Sequence, residues 1–484
     1  MTEEKRARQP GRYLVHEGGG GFDLMIIGGG SAAFAAAIKA AEMGSRVAIV
    51  EQGTIGGTCV NIGCVPSKTL IRAAEVCYHA TYSNFKGMAA CPPPSEWQTV
   101  VKQKDELVSA LREEKYVNVL KAHPNITLIA GRAELTGDQG VRVIEKNYQP
   151  GKIIIATGSR PLAPPIPGLK EAGFIDSEAA LSLQSLPKSL IVLGAGSIGL
   201  ELSQLFGRFG VHVTLLEVAD RIAPAEEPEI SDALTGYLLQ EKLMIHVAAR
   251  ILGIERRGDE YLLRVEIEGR TETLIAEQLL VCTGRKANTS GLGLEAAGIE
   301  LGSKGEIKVD RHLQTTNPSI YAAGDCTGDP MYVYVAAYAG GVAAENALAG
   351  AGKIYDLSSL PRVTFTDPQI ASVGMTEAQA QTAGMDYEVS VLPLEHVPRA
   401  QASRNTKGLF KLIRERGTSR LLGAHILAAE AGEAIQEATL AIRFKLTTNE
   451  IISTYHPYIT MVEGMKLAAL TFSKDVKQLS CCAS

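Results

Sequence analysis

Short apolar runs, each followed by a glycine-rich turn and then a stretch of small residues, recur along the chain. Leu24-Met25-Ile26-Ile27 predicts a buried strand, Gly28 to Ala33 a tight turn, and Phe34 to Met43 an Ala-rich helix closed by Gly44. Val47-Ala48-Ile49-Val50 predicts the next strand, which ends at Glu51. Strand, Gly-rich turn, helix and strand with a terminal acid form a dinucleotide-binding pattern, with Ala33 at its third Gly position. The turn brings backbone N–H groups to a pyrophosphate, and the acid accepts ribose hydroxyls. Gly28, Gly30, Ser31, Ala32 and Glu51 are the candidate contacts.

The unit recurs. Leu190 to Leu193 leads into Gly194-Ala195-Gly196-Ser197-Ile198-Gly199, a helix to Phe209, and a strand from Val211 to Leu216 followed by Glu217. Gly30 to Glu51 and Gly196 to Glu217 both span 21 positions. One Gly-rich turn is weak evidence, because Gly also ends helices and makes hairpins. Two, each set between strand and helix with the acid at the same offset, point to two dinucleotides and to electrons passing between them. Gly194, Gly196, Ile198, Gly199 and Glu217 are the second set of contacts.

Apolar strands ending in Thr157-Gly158 and in Thr283-Gly284 bracket the second unit, and Pro161 to Pro167 reads as a linker. Ile320 to Asp325 is a third strand-to-Gly turn with an acid at its tip, followed by a small-residue helix through Asn346. Alternation in Arg362 to Phe365 and in Gly408 to Ile413 predicts an antiparallel sheet with helices beyond Pro361.

Composition narrows the class. Over 484 residues, 45% hydrophobic and 21% charged is a globular balance, and a net charge of −5 offers no general basic field for nucleic acid or an anionic membrane. Forty-nine Gly is about a tenth of the chain, above the usual ~7%. The longest uncharged run, Leu24 to Ile38, falls short of the ~20 residues of a membrane span. Residues 1–12 are charged, without the apolar core of a signal peptide. The expectation is a cytoplasmic protein. Eight Cys are too few for a disulfide scaffold, so paired Cys are catalytic or metal-binding.

One such pair follows Glu51 closely, in Gly56-Gly57-Thr58-Cys59-Val60-Asn61-Ile62-Gly63-Cys64-Val65-Pro66-Ser67-Lys68. Pro66 suggests a helix start, and a helix N-terminus with Lys68 one turn on favours thiolate. Half a zinc site, or two inert core thiols, are the alternatives; zinc would want a second close pair, and Cys77 with His79 lacks a usual spacing.

From about Phe22 onward the chain resembles the pyridine nucleotide–disulfide oxidoreductases, flavoproteins that include glutathione reductase and lipoamide dehydrogenase; the Gly57 to Lys68 stretch carries the resemblance. The resemblance implies an α/β fold of two Rossmann-like domains, for FAD and NAD(P), plus a C-terminal α+β dimerisation domain. The implied boundaries are an extension at 1–21 without a Cys pair of its own, FAD-binding parts at 22–162 and 287–358, an NAD(P)-binding domain at 163–286, and a dimerisation domain at 359–484. It places FAD on the first turn with Gly57, Thr58, Lys68, Thr157, Gly158 and Asp325, and NADPH or NADH on the second with Gly284. Cys64 would face the flavin, Cys59 the substrate, and Lys68 with Glu201 would form an ion pair near the flavin edge. Ser197 stands where family members often place a Tyr flap.

Lys474 to Ser484 carries the vicinal pair Cys481-Cys482. Two flexible thiolates suit a soft ion, although a frayed terminus with incidental Cys is the bland alternative. This tail and Tyr458-Ile459-Thr460-Met461-Val462-Glu463-Gly464 resemble the branch of the family that reduces Hg(II) to Hg(0). That resemblance implies a homodimer in which Cys481 and Cys482 deliver the ion to Cys59 and Cys64 of the other subunit, with Tyr458 helping to hold it. It favours NADPH, with Arg221 offsetting Glu217, whereas the acid alone favours NADH. His456-Pro457 resembles the start of the lipoamide dehydrogenase acid–base motif, but Glu463 follows seven rather than five positions later, so His456 is read as a loop or core histidine. A disulfide reductase of the same family and a flavoprotein that sequesters metal without turnover are the alternatives.

Overall fold

A computed structural model of the chain describes residues 21–88, 96–137, 140–328 and 330–476. The chain forms two units. One gathers the residues up to Ser67 with Val101–Leu162 and Arg285–Asp356; the other gathers Lys68–Val100, Ala163–Gly284 and the residues from Leu357 on.

In the first unit five parallel strands lie in the order Ile320–Ala322, Lys152–Ile155, Leu24–Ile27, Val47–Glu51, Ile126–Ala130. All four residues of the central strand Leu24–Ile27 are buried. A strand covered on both faces reads as an unbroken apolar run. The helix Ser31–Glu42 buries Ala32, Ala33, Ala36, Ala37 and Ala40. These small side chains admit the helix Val333–Ala349 so closely that a Cβ on Gly340 would stand 2.1 Å from the Ala32 carbonyl oxygen. The first helix starts at Ser31, three residues before the expected Phe34, because extended Gly30 already forms its N-cap. Pro161, expected to open a linker, instead ends the short strand Ser159–Pro161, which pairs with Arg285–Ala287. In a two-stranded ribbon its missing N–H is tolerated.

The second unit holds a parallel sheet in the order Met244–His246, His212–Leu216, Ser189–Leu193, Gln278–Val281. The helix Ser197–Arg208 follows its strand Ser189–Leu193. Trp97 anchors the end of that helix: its indole N–H donates to the Leu183 carbonyl at 2.8 Å, and its ring lies 6.3 and 5.1 Å from those of Phe206 and Phe209. The antiparallel sheet expected beyond Pro361 is present, ordered Arg362–Thr364, Gln369–Gly374, Leu421–Ala428, Leu409–Glu415, Tyr387–Pro393.

Lys411 ties this sheet to the helix Pro228–Gln240. Only 1% exposed, its ammonium reaches Glu227 at 2.7 Å, Glu229 at 2.8 Å and Glu377 at 2.9 Å. Burial pulls its pKa down, yet the three carboxylates hold it above the ordinary lysine range. Among the described residues no helix is long and apolar enough to cross a membrane.

Candidate dithiol and nucleotide sites

The first nucleotide turn is built by backbone crowding. Gly28 has φ +119°, and a Cβ there would stand 2.2 Å from the Ala156 carbonyl oxygen. Gly57, at φ +61°, passes so close to Gly30 that its Cβ would meet the Gly30 Cα at 2.6 Å. Among the described residues no side chain caps the start of Ser31–Glu42. Its terminal N–H groups therefore form the kind of anion site that a pyrophosphate fills. Glu51 accepts the Gly53 N–H at 2.6 Å. Burial pushes its carboxyl above the ordinary range, against the pull of N–H donors from Gly53, Gly29 and Gln52. At the rim, Thr157 and Asn288 exchange hydrogen bonds of 2.7 and 3.0 Å, and Gly158 turns at φ +68°. Asp325 accepts the Ser159 hydroxyl at 2.6 Å, and that hydroxyl accepts Arg285 Nε at 2.7 Å. Crowded glycines, an uncapped helix and a strand-end acid fit a dinucleotide such as FAD.

Cys59 lies on the short helix Gly57–Asn61, which also carries Thr58, and Cys64 opens the helix Cys64–Thr81. Both are partly exposed. Asn61 braces the segment: its amide donates to the carbonyls of Ile55 at 2.9 Å and Gly57 at 3.0 Å, and its oxygen accepts Arg112 Nε at 2.7 Å. Tyr116 is the residue the sequence reading missed. It sits in a π-helical turn, Glu113–Val117, edge-on to Phe34 at 4.7 Å. Burial pushes its hydroxyl up, a hydrogen bond with Ser31 opposes this, and negative charge on Cys59 and Cys64 adds to the rise. The hydroxyl thus bonds the first residue of the nucleotide helix and feels the charge of the two sulfurs. No spacing rule marks it; a π turn is the one local signal of a functional position.

In the second unit Lys68 and Glu201 pair at 2.6 Å. Glu201 is 5% exposed, and its other oxygen accepts the Phe365 N–H at 2.9 Å. Lys68 lies over the Phe365 ring, 4.8 Å from its centroid. Ser197 shares a 2.8 Å hydrogen bond with the Thr364 hydroxyl. Asp367 is held by Arg208 and His79, each at 2.9 Å. Burial pushes its carboxyl up, but these two donors bring it down to about 2.

The second nucleotide turn repeats the first. Gly194 has φ +98°, with a Cβ position 2.7 Å from the Cys282 carbonyl oxygen, and a Cβ on Gly199 would stand 1.8 Å from the Gly194 oxygen. Among the described residues no side chain caps the helix after Gly196; Ile198 is 37% exposed, and Gly284 turns at φ +127°. Glu217 accepts the Ala195 N–H at 2.6 Å and the Ala219 N–H at 2.9 Å. These features fit a pyridine nucleotide. Cys282 and Cys326 are not part of the dithiol chemistry: burial pushes their thiols up to about 12 and about 11.

Tyr458 is exposed in the loop between the helices Thr448–Ser453 and Glu463–Leu470. Its neighbour Ile459 adopts φ +60°, a strained value for a β-branched residue, and donates its N–H to Glu463 at 3.3 Å. His456 is buried against Glu437, at 2.9 and 3.1 Å, a partner nineteen residues upstream rather than a downstream Glu. Cys481 and Cys482 lie outside the described residues.

Residues 22–340 match the pyridine nucleotide-disulphide oxidoreductases, and residues 360–469 match the dimerisation domain of that family. The chain is 46% identical over 464 residues to a mercuric reductase of Staphylococcus aureus, covering 96% of this chain and 85% of that protein. It is 46% identical over 473 residues to a mercuric reductase of Streptomyces lividans, covering 96% of this chain and 98% of that one. Among solved structures, the HOCl-induced flavoprotein disulfide reductase RclA of Escherichia coli, as a Cu(II) complex, superposes with a TM-score of 0.84 at 31% identity, covering 94% of this chain and 100% of that chain.

Proposed function

We propose that this chain, which belongs to the pyridine nucleotide-disulphide oxidoreductase family, is a flavin-dependent enzyme that reduces Hg(II) to Hg(0). The observation that carries the reading is the Cys59 and Cys64 pair placed directly after a dinucleotide cradle, in a chain 46% identical to mercuric reductases over nearly its whole length. Reduced nicotinamide supplies a hydride, a proton is released, and the ion takes up the two electrons.

Gly28, Gly30, Ser31, Ala32, Glu51, Gly57, Thr58, Thr157, Gly158 and Asp325 would hold FAD, and Gly194, Gly196, Ile198, Gly199, Glu217 and Gly284 the nicotinamide coenzyme. FAD, when bound, supplies the relay of two electrons from nicotinamide to the dithiol. Cys59 and Cys64 bind the soft ion as thiolates. The N-terminal end of an 18-residue helix favours negative charge on Cys64. The Tyr116 hydroxyl, anchored on Ser31, orients the same pocket. Glu201, fixed by the Phe365 N–H, holds the Lys68 ammonium in one place. Tyr458 helps to retain the ion. In a cytoplasmic homodimer, Cys481 and Cys482 of one subunit pass the ion to the dithiol of the other, each step exchanging one Hg–S bond for another.

A second reading, reduction of an organic disulfide, draws on the buried His456–Glu437 pair, which could serve proton transfer. Anaerobic oxidation of reduced nicotinamide separates the readings. Hg(II)-dependent turnover in excess thiol is expected, with no turnover of lipoamide or glutathione disulfide. Turnover of a disulfide without Hg(II) turnover, or a single stoichiometric oxidation, would overturn the proposal. Cys64→Ser should also abolish the long-wavelength absorbance of the two-electron-reduced holoenzyme, and Cys59→Ser should leave it.

A further inference from the structure

A cation that no acid neutralises is fastened to the cysteine segment. Arg112 ends the helix Trp97–Arg112 and leads into the π-helical turn Glu113–Val117. Its Nε donates to the Asn61 side-chain oxygen at 2.7 Å, and among the described residues no carboxylate pairs with it. The acids that follow it, Glu113 and Glu114, pair with Lys121 at 3.0 Å and Lys115 at 2.6 Å. Arg112, Lys115 and Lys121 outnumber these two acids by one, so a positive charge is left over on this turn.

Asn61 closes the helix Gly57–Asn61 that carries Cys59, and Cys64 follows three residues later. Chain length alone keeps the Asn61 Cα within ~7 Å of that of Cys59 and ~11 Å of that of Cys64. The Asn61 amide is held in one orientation. Its NH2 group donates to the Ile55 and Gly57 carbonyls at 2.9 and 3.0 Å, which leaves its oxygen to face a donor. Gly56, at φ +104°, makes room: a Cβ there would stand 3.2 Å from the Asn61 nitrogen and 3.5 Å from the Tyr116 ring. Tyr116, four residues beyond Arg112, feels negative charge on both sulfurs, so this turn borders the pair. A guanidinium stays charged at every working pH, and a cation beside a thiolate stabilises the reduced form.

We propose that Arg112, anchored by Asn61, belongs to the dithiol site and that its charge favours the reduced, thiolate form of Cys59 and Cys64 over their disulfide. Arg112 is a positioning residue: Asn61 fixes where the charge sits, and the charge sets how readily the sulfurs ionise. The inference rests on the reading of Cys59 and Cys64 as the redox pair.

Equilibration of the holoenzyme with dithiothreitol and its cyclic disulfide, without Hg(II) or nicotinamide, tests it. Dithiothreitol gives two electrons to the Cys59–Cys64 bond, which breaks, and closes its own S–S bond. The protons it loses pass to the sulfurs or, for a thiolate, to the buffer. Mass spectrometry of the quenched, alkylated peptide carrying both cysteines reads the reduced fraction. Arg112→Gln should shift the constant at least fivefold toward the disulfide, and Arg112→Met, which serves if the first variant fails to fold, should do the same. Arg112→Lys keeps the charge and should stay within about twofold of the natural chain. At 1 M salt, where the screening length falls to ~3 Å, the gap between Arg112→Gln and the natural chain should shrink at least twofold. A constant unmoved by loss of the charge, a lysine variant that matches the glutamine one, or a gap that persists in salt would overturn the inference and leave Hg(II) reduction standing. A Cys59–Cys64 pair that exchanges with dithiothreitol in no variant would overturn both.

Discussion

Removing the charge of either Lys68 or Glu201 has a cost that can be worked from their surroundings. Glu201 is 5% exposed and receives two donors, Lys68 at 2.6 Å and the Phe365 N–H at 2.9 Å. Lys68→Met keeps most of the apolar stem but strands a buried carboxylate on a single amide. Breaking a fully buried pair costs ~3–5 kcal/mol. The lysine side chain is 34% exposed, so some water reaches the break, and about 3 kcal/mol is expected. Glu201→Gln keeps an oxygen for Phe365 and frees an ammonium that can turn to water, for a loss of about 2 kcal/mol. The double variant removes both charges and should lose about 3 kcal/mol rather than about 5, a coupling of roughly 2 kcal/mol. Urea unfolding of the holoenzyme followed by Trp97 fluorescence reads it, since Trp97 packs on Phe206 and Phe209 of the helix that carries Glu201. Losses that add to within ~0.5 kcal/mol would show no interaction between the two groups and refute the reasoning.

Gly57→Ala should yield protein without bound flavin: φ +61° and a Cβ position 2.6 Å from the Gly30 Cα leave no room, and the ratio of absorbance at 280 and 450 nm reads the loss. Tyr116→Phe removes the hydroxyl that bonds Ser31 and feels the charge of the two sulfurs; Hg(II) turnover should fall at least fivefold while the flavin content stays level. For His456, the Glu437 bond raises the pKa above the usual histidine value. Its stabilisation is therefore full below about pH 6.5 and fades as the pH climbs through the raised value. His456→Phe should lose about 1–2 kcal/mol at pH 6 and clearly less at pH 9 in urea unfolding; a deficit constant with pH would contradict the ion pair.

Much of the molecule was legible because its signals are local. Gly28 and Gly194 are required by positive φ and by carbonyls at 2.2 and 2.7 Å from a Cβ, so strand–turn–helix appears at fixed spacing twice. The alternation of Arg362 to Phe365 and of Gly408 to Ile413 likewise marked strands of one antiparallel sheet. What escaped depends on residues brought together from far along the chain. The Phe365 N–H reaches Glu201 across 164 positions, and Arg112 reaches Asn61 across 51. Tyr116 has no motif, and the partner of His456 lies upstream on the helix Ala431–Arg443. Arg221 is one turn from Glu217 in sequence, but that its Nη2 donates to the Pro224 carbonyl while its buried Nε keeps no hydrogen-bond partner among the described residues is visible only in the structure.

The lysine buried among three acids also limits how this protein can be recombined. Lys411 comes from the antiparallel sheet, whereas Glu227 and Glu229 come from the edge of the nucleotide fold. A chimera whose sheet lacks the lysine would leave Glu227, 2% exposed, without its cation, and one whose nucleotide fold lacks Glu227 and Glu229 would leave the 1% exposed ammonium with Glu377 alone. Crossovers between relatives that keep all partners of Lys411 together are spared that penalty. For exchange of parts, the sheet and the nucleotide fold therefore count as one block, although their strands are built on different patterns.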